Sequence, residues 1–232
     1  MSNAKCLGLI GGLGVGAAIH YYRELARAHA ACGRTLDLVM AHAETERVYE
    51  RVKAGDRAGL AAYLVGFIAR MQAAGAAIAA IPAVTPHYSI REIAAASPLP
   101  VLDIFAPLRR EIVRRQAKRL AVFGTRFVVE SALFGLAGDV EMVPPRPDEI
   151  DFLHSTYTEL ARSGKGTEAQ HRDLTALAQR LCERDKVDAI VLAGTDLSLV
   201  FDESNTKFPA IDCAALHIRE ILAAMGVGEE KH

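Results

Sequence analysis

Lys5-Cys6-Leu7-Gly8-Leu9-Ile10-Gly11 opens this chain, and Lys118-Arg119-Leu120-Ala121-Val122-Phe123-Gly124 answers it 113 residues later. Each is an apolar run that starts from a basic residue and ends on glycine. A second pair behaves the same way. Ala79-Ala80-Ile81-Pro82-Ala83-Val84-Thr85 and Ile190-Val191-Leu192-Ala193-Gly194-Thr195-Asp196 both break into small residues and then a threonine, and Ala83 and Gly194 stand 111 positions apart. A pattern doubled at a nearly constant offset implies two similar α/β lobes, each a mainly parallel sheet flanked by helices, related by a pseudo-twofold axis. A cleft between such lobes would receive matching groups from two sides. That suits chemistry on two faces of one small molecule.

The apolar runs are continuous, as strands covered on both faces require. Strands are expected at 7–10, 36–41, 77–81 and 101–104, and again at 120–123, 140–143 and 189–192. Helical spacing fills the intervals. Residues 17–31 place Ile19, Tyr22 and Leu25 on one face. The helix after Asp56, a plausible cap, repeats Leu60, Leu64, Phe67, Ile68 and Met71. Residues 148–162 repeat Ile150, Leu153, Tyr157 and Leu160, and 168–184 repeat Leu174, Leu177 and Leu181. Strands alternating with helices imply parallel sheets. The expected division is an amino-terminal lobe, 1–104, and a carboxy-terminal lobe, 105–211, with a last helix over 212–226 packing back on the first.

A chain of 232 residues that is 51% hydrophobic and 24% charged can bury a core and is not disordered. A net charge of −1 gives no electrostatic reason to expect nucleic acid or an anionic membrane as partner. No tryptophan is present, so a base-stacking surface is not expected. No apolar run is long enough to span a bilayer. The first residues lack a secretory pattern, and the cytoplasm is the expected location. Cys6, Cys32, Cys182 and Cys213 are scattered without metal-ligand or disulfide spacing, so no metal is expected.

Three places carry candidate chemistry. Gly12-Leu13-Gly14-Val15-Gly16-Ala17 follows a strand and opens a helix, the arrangement that binds anions through backbone N–H groups. It reads as a carboxylate-binding turn ahead of a plain tight turn. A dinucleotide loop ranks third, because Asp37 begins the second strand instead of ending it. In parallel sheets ligands bind beyond the carboxyl ends of strands, where Thr85 and Thr195 stand. Their hydroxyls either bond a substrate carboxylate or cap the following turn. His87 and Asp196 lie beside them as candidate acids or bases, although a surface histidine and a capping aspartate are the commoner uses.

Five segments in order resemble the aspartate/glutamate racemase superfamily of cofactor-independent enzymes, which includes hydantoin racemases, maleate isomerases and arylmalonate decarboxylases. They are Ile10-Gly11-Gly12-Leu13-Gly14, Ile81-Pro82-Ala83-Val84-Thr85-Pro86-His87, Gly124-Thr125-Arg126-Phe127-Val128-Val129-Glu130, Leu192-Ala193-Gly194-Thr195-Asp196-Leu197, and Pro209-Ala210-Ile211-Asp212 with His217 beyond. The resemblance spans nearly the whole chain. It implies an isomerase for a small amino or carboxylic acid, with no cofactor, and a homodimer, since family members often dimerise.

It also implies two proton-transferring cysteines, one per lobe, and here the chain departs. Ala83 stands at the first of those positions and Gly194 at the second, and neither side chain transfers protons. Val84 replaces an asparagine. Two-thiol racemisation is therefore not expected. A single-base lyase, a decarboxylase or a one-face isomerase remains, with Thr85, His87, Thr195 or Asp196 as acid and base. A non-catalytic anion-binding protein of the same fold is the other reading. The resemblance places substrate contacts at Gly12, Leu13, Arg47, Val84, Thr125 and Lys165. A guanidinium fork at Arg47 matches a carboxylate.

Overall fold

The computed structural model describes residues 5–135 and 139–227. They divide into two units. One runs to Ile104 and resumes at Ala215, and the other is Phe105–Ala214.

In the first unit β1 (Leu7–Gly11), α1 (Val15–Ala31), β2 (Leu38–His42), α2 (Thr45–Lys53), α3 (Arg57–Ala73), β3 (Ile78–Ala80), α4 (Ile90–Ala96) and β4 (Val101–Leu102) follow in order. The sheet order is β2-β1-β3-β4 and every pairing is parallel. Leu7 lies opposite Leu38 on one side and Ile78 on the other. All five residues of β1 are buried. Helix α3 lies over the strand at Gly8, where an added Cβ would sit 3.1 Å from the Met71 side chain. Asp56 caps α3 by accepting from the Gly59 N–H at 2.8 Å, and Leu60, Leu64, Phe67, Ile68 and Met71 are all buried.

The second unit repeats the plan with α5 (Phe105–Arg115), β5 (Arg119–Phe123), α6 (Arg126–Glu130), β6 (Glu141–Met142), α7 (Pro147–Ser163), α8 (Glu168–Asp185), β7 (Ala189–Leu192) and β8 (Ala210–Asp212). Its order, β6-β5-β7-β8, is again wholly parallel and copies the first. Leu153, Tyr157 and Leu160 of α7 and Leu174, Leu177 and Leu181 of α8 are buried together with Phe123, Ile190 and Leu192, while Ile150 is buried outside that cluster. Glu149, in the first turn of α7, accepts from both Arg184 guanidinium nitrogens at 2.8 and 2.9 Å and from the Arg146 N–H. Helix α9 (Cys213–Ala224) ends the described chain, and from Ala215 onward its residues belong to the first unit.

One expectation needs correction. The inner face of α1 is not Ile19, Tyr22 and Leu25. It is Ala17, Ala18, Tyr21, Leu25 and His29, while Ile19 is 51% and Tyr22 50% exposed. Small alanines let the helix lie close to the sheet, and the larger apolar residues fall outside. Arg47 lies on α2. Thr45–Lys53 is a short helix that buries only Val48 and Val52, too sparse an apolar stripe to stand out in the sequence.

Candidate active site

Both sheets reverse their winding at one place. From β1 the chain crosses to β2 on one side and to β3 on the other, and β5, β6 and β7 do the same. The switch point at the carboxyl ends of such a strand pair is where open α/β sheets bind ligands. In the first unit that point is made by Gly11-Gly12 and by Ile81–Thr85. In the second it is made by Gly124-Thr125 and by Ala193–Asp196.

At the first switch point Gly12 has φ +87°, and a Cβ there would lie 2.1 Å from the Ala43 carbonyl oxygen. Only glycine fits. The Thr45 hydroxyl donates to the Gly12 carbonyl at 2.7 Å and pins the turn. Leu13 is half-buried. The N-cap of α1, Gly14, has no side chain to cap the helix, and no acidic residue sits in its first turn. Beyond β3, residues from Ile81 to His87 are all buried, and Thr85–Ser89 winds into a 3₁₀ turn. Thr85 is the first residue of that turn, and no side chain caps it.

His87 has no exposed surface. Its Nδ1–H donates to the Ala83 carbonyl at 2.8 Å, and its Nε2 accepts from the Ile104 N–H at 3.3 Å. His217 lies edge-on to it, with ring centroids 6.1 Å apart. Nε2 of His217 is 3.0 Å from the Leu102 carbonyl and so carries its proton, while Nδ1 accepts from the Tyr21 hydroxyl at 3.1 Å. Both rings are neutral in this arrangement, since a backbone N–H or a hydroxyl already points at each unprotonated nitrogen. Burial lowers the pKa of each. His217 falls to about 3, with His87 adding to the effect. For His87 burial outweighs the nearby Asp103 charge.

At the second switch point the strand ends close up. A Cβ on Gly124 would sit 2.9 Å from the Ala193 carbonyl oxygen. Thr125 caps α6 by accepting from the Val128 N–H at 3.3 Å. Thr195–Leu199 is a 3₁₀ turn matching the one after β3. Thr195 and Asp196 are buried, and the Asp196 carboxylate accepts from the Tyr157 hydroxyl at 3.2 Å.

A family model for Asp/Glu/Hydantoin racemase matches residues 10–221. This chain belongs to that family. The aspartate racemase homologue of Pyrococcus horikoshii OT3 has a similar structure, at TM-score 0.78 and 19% identity over 96% of this chain and 99% of that one. The Picrophilus torridus aspartate racemase is similar at TM-score 0.74 and 16% identity, over 96% of this chain and 94% of that one. An arylmalonate decarboxylase shares the fold at TM-score 0.60 and 16% identity, over 97% and 94%.

Among the residues singled out in this racemase-family chain, the first unit gathers Gly12, Leu13, Ala83, Val84, Thr85 and His87 on two neighbouring strand ends. The second gathers Thr125, Gly194, Thr195 and Asp196. Arg47 stands apart on α2, exposed and bonded to Glu44 at 2.9 Å. Lys165 is exposed between α7 and α8. Thr45, Gly124 and Tyr157 were not singled out as functional in the sequence. Tyr157 is visible there only as one more apolar position on a helix face. Burial holds the thiols of Cys6, Cys182 and Cys213 protonated, pushing Cys6 up to about 11 with help from Asp37.

Proposed function

We propose that the chain is a cofactor-independent, cytoplasmic enzyme of the racemase family that acts on a small amino or carboxylic acid by proton transfer from one side. The observation that carries this is the contrast between the two switch points. In the first unit Ala83 has no proton to move, and His87 spends both ring nitrogens on the backbone. In the second, Asp196 brings a carboxylate to the strand end. In the first unit the Gly12 turn, Leu13, Val84 and the Thr85 hydroxyl would offer ligand contacts, with Arg47 for a carboxylate; in the second the hydroxyls of Thr125 and Thr195 would, with Lys165 for a carboxylate. The reaction is then a one-face isomerisation. A lyase or decarboxylase is the second reading, favoured by the shared fold with an arylmalonate decarboxylase.

The test is a panel of amino, hydroxy and dicarboxylic acids incubated with the protein in deuterium oxide. Exchange of an α-proton, elimination or loss of carbon dioxide is expected for at least one of them, with Asp196→Asn slowing it by about 100-fold or more. Calorimetric binding of an acid with no exchange, elimination or decarboxylation would replace the enzyme with an anion-binding protein.

A homodimer is a further part of the proposal. The exposed Val15, Ile19 and Tyr22 of α1 adjoin exposed Met40 on the edge strand β2 and line a shallow apolar groove with Gly11 and His42. Contiguous exposed apolar surface of this kind marks interaction sites. Ile19→Asp is expected to halve the mass seen in sedimentation. A wild-type monomer at micromolar concentration would dispose of the dimer.

A further inference from the structure

Gly194 and Tyr157 compete for one volume. A Cβ built on Gly194 would lie 2.2 Å from Cε2 of the Tyr157 ring, 2.8 Å from Cδ2 and 2.9 Å from Cζ. No rotation of a small side chain at 194 relieves this, because the Cβ itself collides. The strand end therefore has a side chain, delivered from α7 and not from its own residue. That side chain ends in a hydroxyl, and the hydroxyl points at Asp196, two residues beyond Gly194.

A tyrosine that merely filled the core would not need this. Leu153, Leu160, Leu177 and Leu181 already pack the same cluster with no polar atom. Burying a carboxylate as Asp196 is buried costs several kcal/mol unless hydrogen bonds compensate it. The phenol supplies such a bond at the carboxyl end of β7, the place where the fold puts ligands.

We infer that Tyr157 is the positioning residue of the second unit: its ring fills the side-chain space that Gly194 leaves, and its hydroxyl orients the Asp196 carboxylate as the base for the substrate α-proton. The inference rests on the one-sided proton transfer proposed above. In the step, the α C–H bond breaks and an O–H bond forms on Asp196. The electron pair stays on the α-carbon and spreads into the substrate carboxyl group. Return of that proton, or of one exchanged with water, to the same face gives α-proton exchange, and return after the planar intermediate has turned its other face to Asp196 gives the other enantiomer. The tyrosine proton stays on its oxygen throughout.

Two arms test this. In the kinetic arm Tyr157→Phe keeps the ring and removes the hydroxyl. It is expected to lower kcat for exchange by about 10- to 100-fold while KM changes less than about two-fold. Tyr157→Leu is expected to be no more active than Tyr157→Phe. In the packing arm Gly194→Ala is expected to lower Tm by about 5 °C or more in the wild-type background, and by less than about 2 °C when Tyr157→Leu has already removed the ring. Turnover with Tyr157→Phe at the wild-type kcat would overturn the inference and leave the proposed function standing. No turnover on any acid would remove both. A Gly194→Ala protein as stable as wild type would overturn the shared volume.

Discussion

Replacing Gly12 with alanine should cost about 3–5 kcal/mol of stability and lower Tm by about 10 °C or more. Two penalties combine. An L residue at φ +87° is strained, and the new methyl would lie 2.1 Å from the Ala43 carbonyl oxygen. That carbonyl follows directly from β2, whose neighbour is β1, so the clash must open the sheet edge or break the Thr45 bond that pins the turn. Thermal unfolding checks it. Gly33→Ala is a suitable comparison, since its φ is also positive and nothing lies within 4 Å of the added Cβ. A Gly12→Ala shift no larger than that of Gly33→Ala would show that the turn relaxes freely.

Acidification should destabilise the protein before its carboxylates begin to titrate. The sign follows from proton counting. Unfolded histidines bind protons near pH 6.5, whereas folded His217 holds out to about pH 3 and His87 is shifted the same way. The unfolded state then carries more protons, and stability falls as pH falls. The contribution is fully present above about pH 6.5 and is lost on descent towards the folded value. Between pH 7 and pH 5 His217 alone should cost about 2 kcal/mol, with His87 adding to it. Below about pH 4 the Glu149–Arg184 pair joins in, because Arg184 holds that carboxyl below the usual range. Urea midpoints at pH 7 and pH 5 measure the loss. His217→Gln should shrink it markedly, and an unchanged pH slope in that variant would show that the ring charges without unfolding the chain.

The sequence disclosed most of the architecture because its inner strands β1, β3, β5 and β7 are buried almost throughout. Runs such as Leu7–Ile10 and Ile190–Leu192 admit few other readings, and the helix faces of α3, α7 and α8 follow from simple spacing. Each failure has its own cause. Ile19 and Tyr22 have the spacing of an inner face, yet alanines won it because close approach to the sheet favours small residues. Thr85 and Thr195 were legible as strand-end residues. Their place inside 3₁₀ turns was not, since a turn of five residues leaves no periodic trace. His87 read as a candidate acid or base because its two backbone partners are contributed by Ala83 and Ile104, and only folding brings Ile104 near. Tyr157 could not be tied to Gly194 at all. Nothing in a string of letters says that a ring will occupy a place from which a distant glycine has withdrawn.

The first unit is closed by a segment that follows the second. His217 of α9 receives the Tyr21 hydroxyl and reaches the Leu102 carbonyl, so two earlier points in the chain wait for a partner 196 and 115 residues further on. The second unit, Phe105–Ala214, is continuous. On a ribosome the second unit can therefore mature as it emerges, while the first stays open until α9 has been made. The order of completion runs opposite to the order of synthesis.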